Sequence, residues 1–180
     1  MNDIISTENF MYTQILFLRV SMLSMADQPD DTIRNADEFL LLNEKHPGIM
    51  TFGQVAKAKC WQAEAYSDCG KWKEAVTIYK SLFREHKQRC KNPYFGITMG
   101  CSRALYEIGK YDEAIEIGNA AMESIRSYPG VHKYIALSHK AKGDIDEAKK
   151  TISKAILYEE HWNKDNLQKN KELLRELNDL

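Results

Sequence analysis

Two pairs of residues in this sequence have types and spacings that could hold a metal ion. His132 and His139 are seven residues apart, and His86 and Cys90 are four apart, so each pair could share one face of a helix. A zinc site needs three or four such ligands, and neither pair has a third at a suitable spacing. The chain also lacks an H-E-x-x-H motif, a phosphate-binding glycine loop and a G-x-S-x-G motif. We therefore expect no metal, no cofactor and no catalytic residue.

The cysteines and the N-terminal residues indicate in which cellular compartment the protein is expected. The cysteines form no C-x-x-C pair and no regular framework, which favours reduced, mostly buried thiols; they are Cys60, Cys69, Cys90 and Cys101. The sequence begins Met1-Asn2-Asp3, without the basic start of a signal peptide. The apolar stretch from Phe10 to Met25 is interrupted by Gln14 and Arg19 and is shorter than a membrane span. These features predict a soluble, cytoplasmic protein.

The charge of the chain is nearly balanced but unevenly distributed. The net charge of the 180 residues is -1, with a balance of -5 in residues 1–50 and of +5 in residues 51–91. A near-neutral chain gives no case for binding nucleic acid or an anionic membrane. The basic tract formed by Arg84, Lys87, Arg89 and Lys91 suits the C-terminal end of a helix, where cations interact favourably with the dipole.

A short sequence recurs three times along the chain. It reads G-K-W-K-E-A at residues 70–75, G-K-Y-D-E-A at 109–114 and G-D-I-D-E-A at 143–148. The final alanines lie 39 and 34 residues apart, and Ala36 lies 39 residues before the first of them. A period of this length predicts stacked pairs of helices. Ala36, which has no turn glycine before it, marks a degenerate additional pair.

The apolar periodicity and the positions of proline and glycine predict nine helices in one domain of residues 1–180. A degenerate helix pair occupies 1–50, repeats occupy 51–91, 94–126 and 129–160, and a capping helix occupies 165–180. The first helix, Thr7 to Met25, is apolar on more than one face, so it lies between other helices or has a partner to meet. Asp30 or Asp31 is the expected cap of the second helix. The capping helix presents one apolar face, made of Leu167, Leu173, Leu174 and Leu177.

The repeated units resemble the tetratricopeptide repeat (TPR) family. The unit around Gly70 matches the family's small, aromatic and turn positions with Ala63, Tyr66, Trp72, Glu74, Ala75 and Tyr79. The unit around Gly109 departs from the pattern at Leu105 and Gly118, where the family has aromatic residues. The resemblance implies an all-α fold, a right-handed superhelix of stacked antiparallel helix pairs (an α-solenoid), closed by a C-terminal capping helix.

In this family the first helix of each pair lines a concave groove. The resemblance therefore implies a partner-binding groove lined by Lys57, Cys60, Trp61, Glu64, Met99, Arg103, Tyr106, Lys133, Tyr134 and Lys140. Aromatic side chains beside lysine and arginine suit a peptide with apolar and acidic side chains. The alternative is that Trp61, Met99 and Tyr134 belong to the core between repeats. The residues with which one family subset clamps the acidic C-terminus of heat-shock chaperones are absent, so we do not expect that ligand.

The resemblance implies a non-catalytic protein–protein interaction scaffold or adaptor that binds a peptide or helix of another protein in its groove. No nucleic acid or membrane span is expected. Two alternatives stay open. The apolar first helix would make the chain a homo-oligomerisation module, such as a homodimer, if it pairs with its own copy. A groove used as a pocket would make it a small ligand-binding or enzymatic domain.

Overall fold

The computed structural model describes residues 7–89, 95–124, 129–159 and 164–180, and within these ranges the chain forms nine α-helices and no β-strand. The helices are α1 (Thr7–Met25), α2 (Pro29–Lys45), α3 (Phe52–Asp68), α4 (Trp72–Arg89), α5 (Phe95–Glu107), α6 (Tyr111–Ser124), α7 (Pro129–Lys142), α8 (Ile145–Glu159) and α9 (Lys164–Asn178). The predicted all-α class is confirmed. The predicted repeat limits at 91, 94, 126 and 160, and Cys90, lie outside the described residues.

The chain divides into two compact units, Met1–Leu82 and Phe83–Leu180, with the boundary inside α4. In the first unit α1 contacts α2 and α3, and α2 contacts α3. In the second unit α5 and α7 contact each other, and α6 lies against both. Helix α8 packs against α7, and α9 packs against α8. In both units, therefore, the first helix of one pair lies beside the first helix of the next.

The three repeated sequences form the same helix-ending turn. After α3, the N–H of Lys71 donates to the carbonyl of Tyr66 at 2.8 Å, and the N–H of Gly70 donates to the carbonyl of Ser67 at 3.0 Å. This is a Schellman motif, and it requires a left-handed residue at the glycine, whose φ is 70°. The same pair of hydrogen bonds follows α5 at Gly109 and α7 at Gly143. The predicted turn glycines are thus confirmed.

The first helix pair makes this turn without glycine. Asp27, between α1 and α2, has a φ of 53° and is the one non-glycine residue with positive φ in the described part of the chain. The N–H of Gln28 donates to the carbonyl of Leu23, and the N–H of Asp27 to that of Ser24, as in the other three turns. Aspartate tolerates the left-handed conformation better than most residues because its short side chain can hydrogen-bond locally.

The hydrogen bonds of this turn correct the predicted register of the first pair. Ala75 donates its N–H to the carbonyl of Lys71, the residue after the turn glycine. In the first pair Thr32 donates its N–H to the carbonyl of Gln28, the residue after the left-handed Asp27. Thr32 therefore occupies the place predicted for Ala36, which is buried one turn further along α2. The spacing between repeats cannot reveal this four-residue shift, because a change in the length of the connection between α2 and α3 compensates for it.

Substitution of Asp27 tests the corrected turn. Asp27→Gly removes the steric cost of the left-handed conformation and should leave the thermal midpoint unchanged or slightly higher. Asp27→Val, with a β-branched side chain, should lower the stability by about 1–2 kcal/mol. Thermal unfolding followed by circular dichroism measures both. Equal midpoints for the glycine and valine variants would show that residue 27 is not left-handed.

The core of the first unit lies between α1, α2 and α3. It contains Leu16, Phe39 and Ala58, together with Ile49 and Met50 from the connection before α3. Helix α3 starts with a capping box, in which Thr51 and Gln54 satisfy each other's backbone N–H groups. Helix α2 starts differently from the prediction.

The N-cap of α2 is Gln28, which makes no side-chain capping bond, and Pro29 follows at the start of the helix. The prediction that Asp30 or Asp31 caps α2 is therefore wrong. Proline is favoured at the first helical position because its missing N–H has no partner there in any case. Both aspartates lie in the first turn, where their negative charge interacts favourably with the helix dipole.

Small side chains allow the helices of the second unit to approach closely. Ala114 and Ala148 on the second helices, and Ser102 and Ala136 on the first helices, are fully buried. Ser102 also donates a hydrogen bond of 3.2 Å to the carbonyl of Ala114. The capping helix α9 packs Leu173 and Leu177 against α8, as the sequence predicts.

Candidate partner-binding face

Three predicted groove residues form a stripe along α5. Met99, Arg103 and Tyr106 are spaced four and three residues apart, which places them on one side of the helix, and all three are half-buried. The opposite side is buried in the second unit by Ile97, Cys101, Ala104 and Leu105. Helix α5 therefore has one side in the core and one side on which larger polar and aromatic groups face outward.

Two tyrosines join α5 to α7 at this surface. The ring centroids of Tyr106 and Tyr134 are 6.3 Å apart with the planes tilted by 50°. Tyr111, the first residue of α6, lies on the other side of Tyr106 at 5.8 Å. Such tilted contacts are within the range favoured by aromatic pairs. The three rings thus hold one another in place.

Positive charge flanks the tyrosine pair. The ammonium group of Lys133 is 5.8 Å from the ring centroid of Tyr134, within the range of a cation–π contact. Burial raises the pKa of the Tyr134 phenol, Arg103 lowers it, and Glu107 and Tyr106 raise it further. The phenol therefore stays protonated at neutral pH and can donate a hydrogen bond. We call the surface formed by Arg103, Tyr106, Lys133 and Tyr134 the tyrosine face.

Two predicted groove residues of the second unit have structural contacts of their own. Met99 packs partly against the cluster of Ala121, Val131 and Ile135, and its sulfur lies close to Gly130. Lys140 pairs with Glu176 of the capping helix, with 2.9 Å between Nζ and Oε2. Met99 therefore contributes to packing, and Lys140 links α7 to α9.

The other predicted groove residues lie on α3 in the first unit. Lys57 and Glu64 are exposed, whereas Trp61 is half-buried, and its ring centroid lies 5.5 Å from that of Phe17 on α1. Trp61 is therefore part of the aromatic packing between the first helices of this unit. Burial, with the charge of Glu64, raises the pKa of Cys60 to about 12, so this thiol is not a nucleophile at neutral pH.

His132, one of the histidines that could bind metal, packs against an aromatic ring. His132 is buried, and its ring centroid is 5.6 Å from that of Tyr158. Among the residues that the structure describes, no group of three or more histidine, cysteine, aspartate or glutamate side chains could hold a metal ion. Of the helices in the described ranges, none combines the length and the apolar character that a membrane span requires.

Two residues beside the tyrosine face, Tyr111 and Glu107, are not among the site residues that the sequence predicts. Tyr111 is predicted only as the aromatic residue after the turn glycine of its repeat, yet its ring touches that of Tyr106. Glu107 is exposed at the end of α5, and its charge raises the pKa of Tyr134 on α7. Tyr111 could have been found from the turn, because the turn places the start of α6 beside the end of α5.

Comparison with known proteins defines the class of this fold. No protein-family model matches the sequence, and a search of curated proteins found no relative. Solved structures do match. TTC0263, a thermophilic TPR protein of Thermus thermophilus, superposes with a TM-score of 0.66 at 16% identity, over 92% of this chain and 80% of that one.

Two further structures support the same class. The type III secretion translocator chaperone SycD of Yersinia enterocolitica has a TM-score of 0.64 at 15% identity and covers 72% of this chain and 87% of its own. MamA 41-end of Desulfovibrio magneticus RS-1 has a TM-score of 0.66 at 13% identity and covers 93% of this chain and 94% of its own. The chain therefore has a TPR-like helical-repeat fold, as its repeats predicted.

Proposed function

We propose that this chain is a non-catalytic interaction scaffold, and that the tyrosine face of its second unit binds a peptide or helix of another protein. The carrying observation is the half-buried pair of Tyr106 and Tyr134, with Lys133 over the ring of Tyr134 and the charge of Arg103 acting on its phenol. Tyrosine and arginine are the residue types that contribute most energy at protein interfaces. The solved TPR proteins of similar fold, among them a translocator chaperone by its name, support a protein partner.

The chemistry of the face suggests the composition of the ligand. The tyrosine rings offer apolar area at little entropic cost, and their hydroxyl groups offer hydrogen bonds. Arg103 and Lys133 favour a carboxylate beside the rings. The ligand we propose is a segment in which an apolar or aromatic side chain is flanked by aspartate or glutamate. Lys57, Trp61 and Glu64 of the first unit stay predicted groove residues.

Peptide selection followed by charge reversal tests this proposal. Peptides are selected from a random display library on the 180-residue chain, and their Kd values are measured by fluorescence anisotropy. Arg103→Glu combined with Lys133→Glu should weaken acidic peptides by about tenfold or more at low salt, which corresponds to about 1.4 kcal/mol. At 1 M salt the difference should narrow, because the Debye length falls to about 3 Å. Lys133 is used instead of Lys140, whose reversal would also disturb the contact with α9.

A matched variant controls for net charge. Lys154→Glu combined with Lys169→Glu makes the same change of charge at exposed positions of α8 and α9. It should leave the Kd within about twofold of the original chain. The proposal fails if the selected peptides bind the Arg103 and Lys133 variant as tightly as the control variant at equal helicity.

A further inference from the structure

The outward side of α1 carries a continuous apolar stripe. Its members, at successive spacings of four, three, four and three residues, are Met11, Ile15, Leu18, Met22 and Met25. Each of these side chains is between 56% and 77% exposed. This spacing is the a/d pattern of a helix that packs along a second helix, with Ile15 at an a position and Leu18 at a d position. The opposite side of α1, with Leu16 and Val20, is already buried in the first unit.

We propose that this stripe, which we call the α1 seam, pairs with the α1 seam of a second copy in an antiparallel, two-fold symmetric helix pair. In the symmetric register Met11 faces Met22 of the second copy, and Ile15 faces Leu18 of the second copy. Each of these contacts then occurs twice in the dimer, since residue i meets residue j and j meets i, as a closed isologous contact requires. The seam lies on the first unit and does not use the tyrosine face, so the two proposals stand or fall separately.

The exposed area on α1 is of the size that a dimer needs. Phe10 and Tyr12 flank the seam and are exposed by 45% and 47%. With the five seam residues they offer on the order of 800 Å², taking about 200 Å² for one large side chain. A standard interface buries about 800 Å² on each partner. A patch of this size on a single helix is larger than scattered surface residues explain.

A groove beside the α1 seam could accommodate a side chain of the second copy. An open groove of about 450 Å³ lies along the C-terminal half of α1, and its lining includes Leu18, Met22 and Leu23 of α1 with Ala26 and Gln28 of the turn that follows. In the proposed register Met11 of the second copy would insert here. Methionine suits such a groove because its unbranched side chain adapts to an irregular surface.

Charges beside the seam favour the antiparallel orientation. Tyr12 donates a hydrogen bond of 2.5 Å to Glu38 of α2, which fixes a carboxylate at one edge of the seam. Arg19 lies on the same edge of α1, two turns away, and also borders the groove. Antiparallel pairing brings Arg19 of one copy beside the Tyr12–Glu38 pair of the other, twice in each dimer. Parallel pairing would instead place this edge of one copy beside the opposite edge of the other, so Arg19 would not meet the Tyr12–Glu38 pair.

The oligomeric state of the 180-residue chain tests the proposal. Sedimentation velocity over a range of concentrations should show a reversible dimer. Ile15→Glu combined with Leu18→Glu should raise the dimer Kd by at least about 100-fold with unchanged circular dichroism, because both side chains are exposed in the monomer. Leu41→Glu combined with Leu157→Glu, at exposed leucines outside the seam, should leave the dimer intact. A chain that is monomeric at every concentration overturns the proposal, as does a dimer that survives the seam variant.

A charge exchange tests the orientation independently. Arg19→Glu and Glu38→Arg should each weaken the homodimer by about tenfold, since each creates two like-charge contacts per dimer. A mixture of the two variants should form heterodimers of nearly the original affinity, because every contact is again between opposite charges. If the mixture associates no better than either variant alone, the antiparallel register is wrong.

Discussion

Replacing Ala114 with tryptophan is expected to destabilise the second unit by about 3 kcal/mol. Ala114 is fully buried, and its carbonyl accepts a hydrogen bond from Ser102 of the neighbouring helix. An indole at this position cannot fit without separating α5 from α6, so packing on both helices would be lost. A change of this size should lower the thermal midpoint by about 10 °C, at roughly 2–4 °C for each kcal/mol. Thermal and urea unfolding followed by far-ultraviolet circular dichroism measure it.

Ala141→Trp is the matched control for this substitution. Ala141 lies on α7 in the same unit and is exposed, so the indole can point into solvent. Its effect on stability should stay within about 0.5 kcal/mol, as for most surface substitutions. If the Ala114 and Ala141 variants unfold at the same temperature, Ala114 is not at a close helix contact.

Restoring the family's aromatic residue at position 118 is expected to destabilise this chain by about 3 kcal/mol. Gly118 is buried on α6, and a Cβ built there would lie 2.6 Å from Cγ1 of Ile135 and 3.2 Å from Cγ1 of Val131. The isoleucine of α7 therefore occupies the space that an aromatic ring would take from α6. Gly118→Phe would force Ile135 away from its buried position, and this cost exceeds the gain of about 0.5 kcal/mol in helix propensity.

A double-mutant cycle shows whether Ile135 is the cause. Ile135→Ala alone should cost about 2–5 kcal/mol, because it leaves a cavity. In that background Gly118→Phe should cost at least about 1 kcal/mol less than it does in the original chain, because the ring can fill the cavity. Gly53→Phe serves as a control, since no neighbour lies within 4 Å of a Cβ at this helical glycine. Additive effects of the two substitutions would contradict the packing described here.

The sequence by itself determined the helices and most of the turns between them. The Schellman turns at Gly70, Gly109 and Gly143 depend on hydrogen bonds between residues three to five apart, and a glycine at each turn has no steric penalty. The buried alanines follow each turn at a fixed distance, so their register is local as well. The apolar face of α9 was readable for the same reason, because helical periodicity decides which side chains share a face.

Other features were decided only by tertiary structure. The left-handed turn at Asp27, which moves Thr32 into the place predicted for Ala36, is visible in the structure and not in the repeat pattern, because no glycine marks it. The glycine at 118 is explained by an isoleucine seventeen positions away. At position 118 a contact between distant residues replaces the aromatic residue that the repeat pattern demands.

The candidate site divides in the same way. The resemblance indicated which residues lie on the first helices, and the stripe on α5 follows from helical spacing alone. Only the packing of α5 against α7 brings Tyr106 and Tyr134 to 6.3 Å, and only contacts between helices turn Trp61 toward Phe17 and engage Lys140 with Glu176. These pairs are separated by 28 to 44 positions in the sequence, where helical periodicity carries no information about contact. The physical reason is that side-chain packing between helices, and not local propensity, selects which groups remain at the surface.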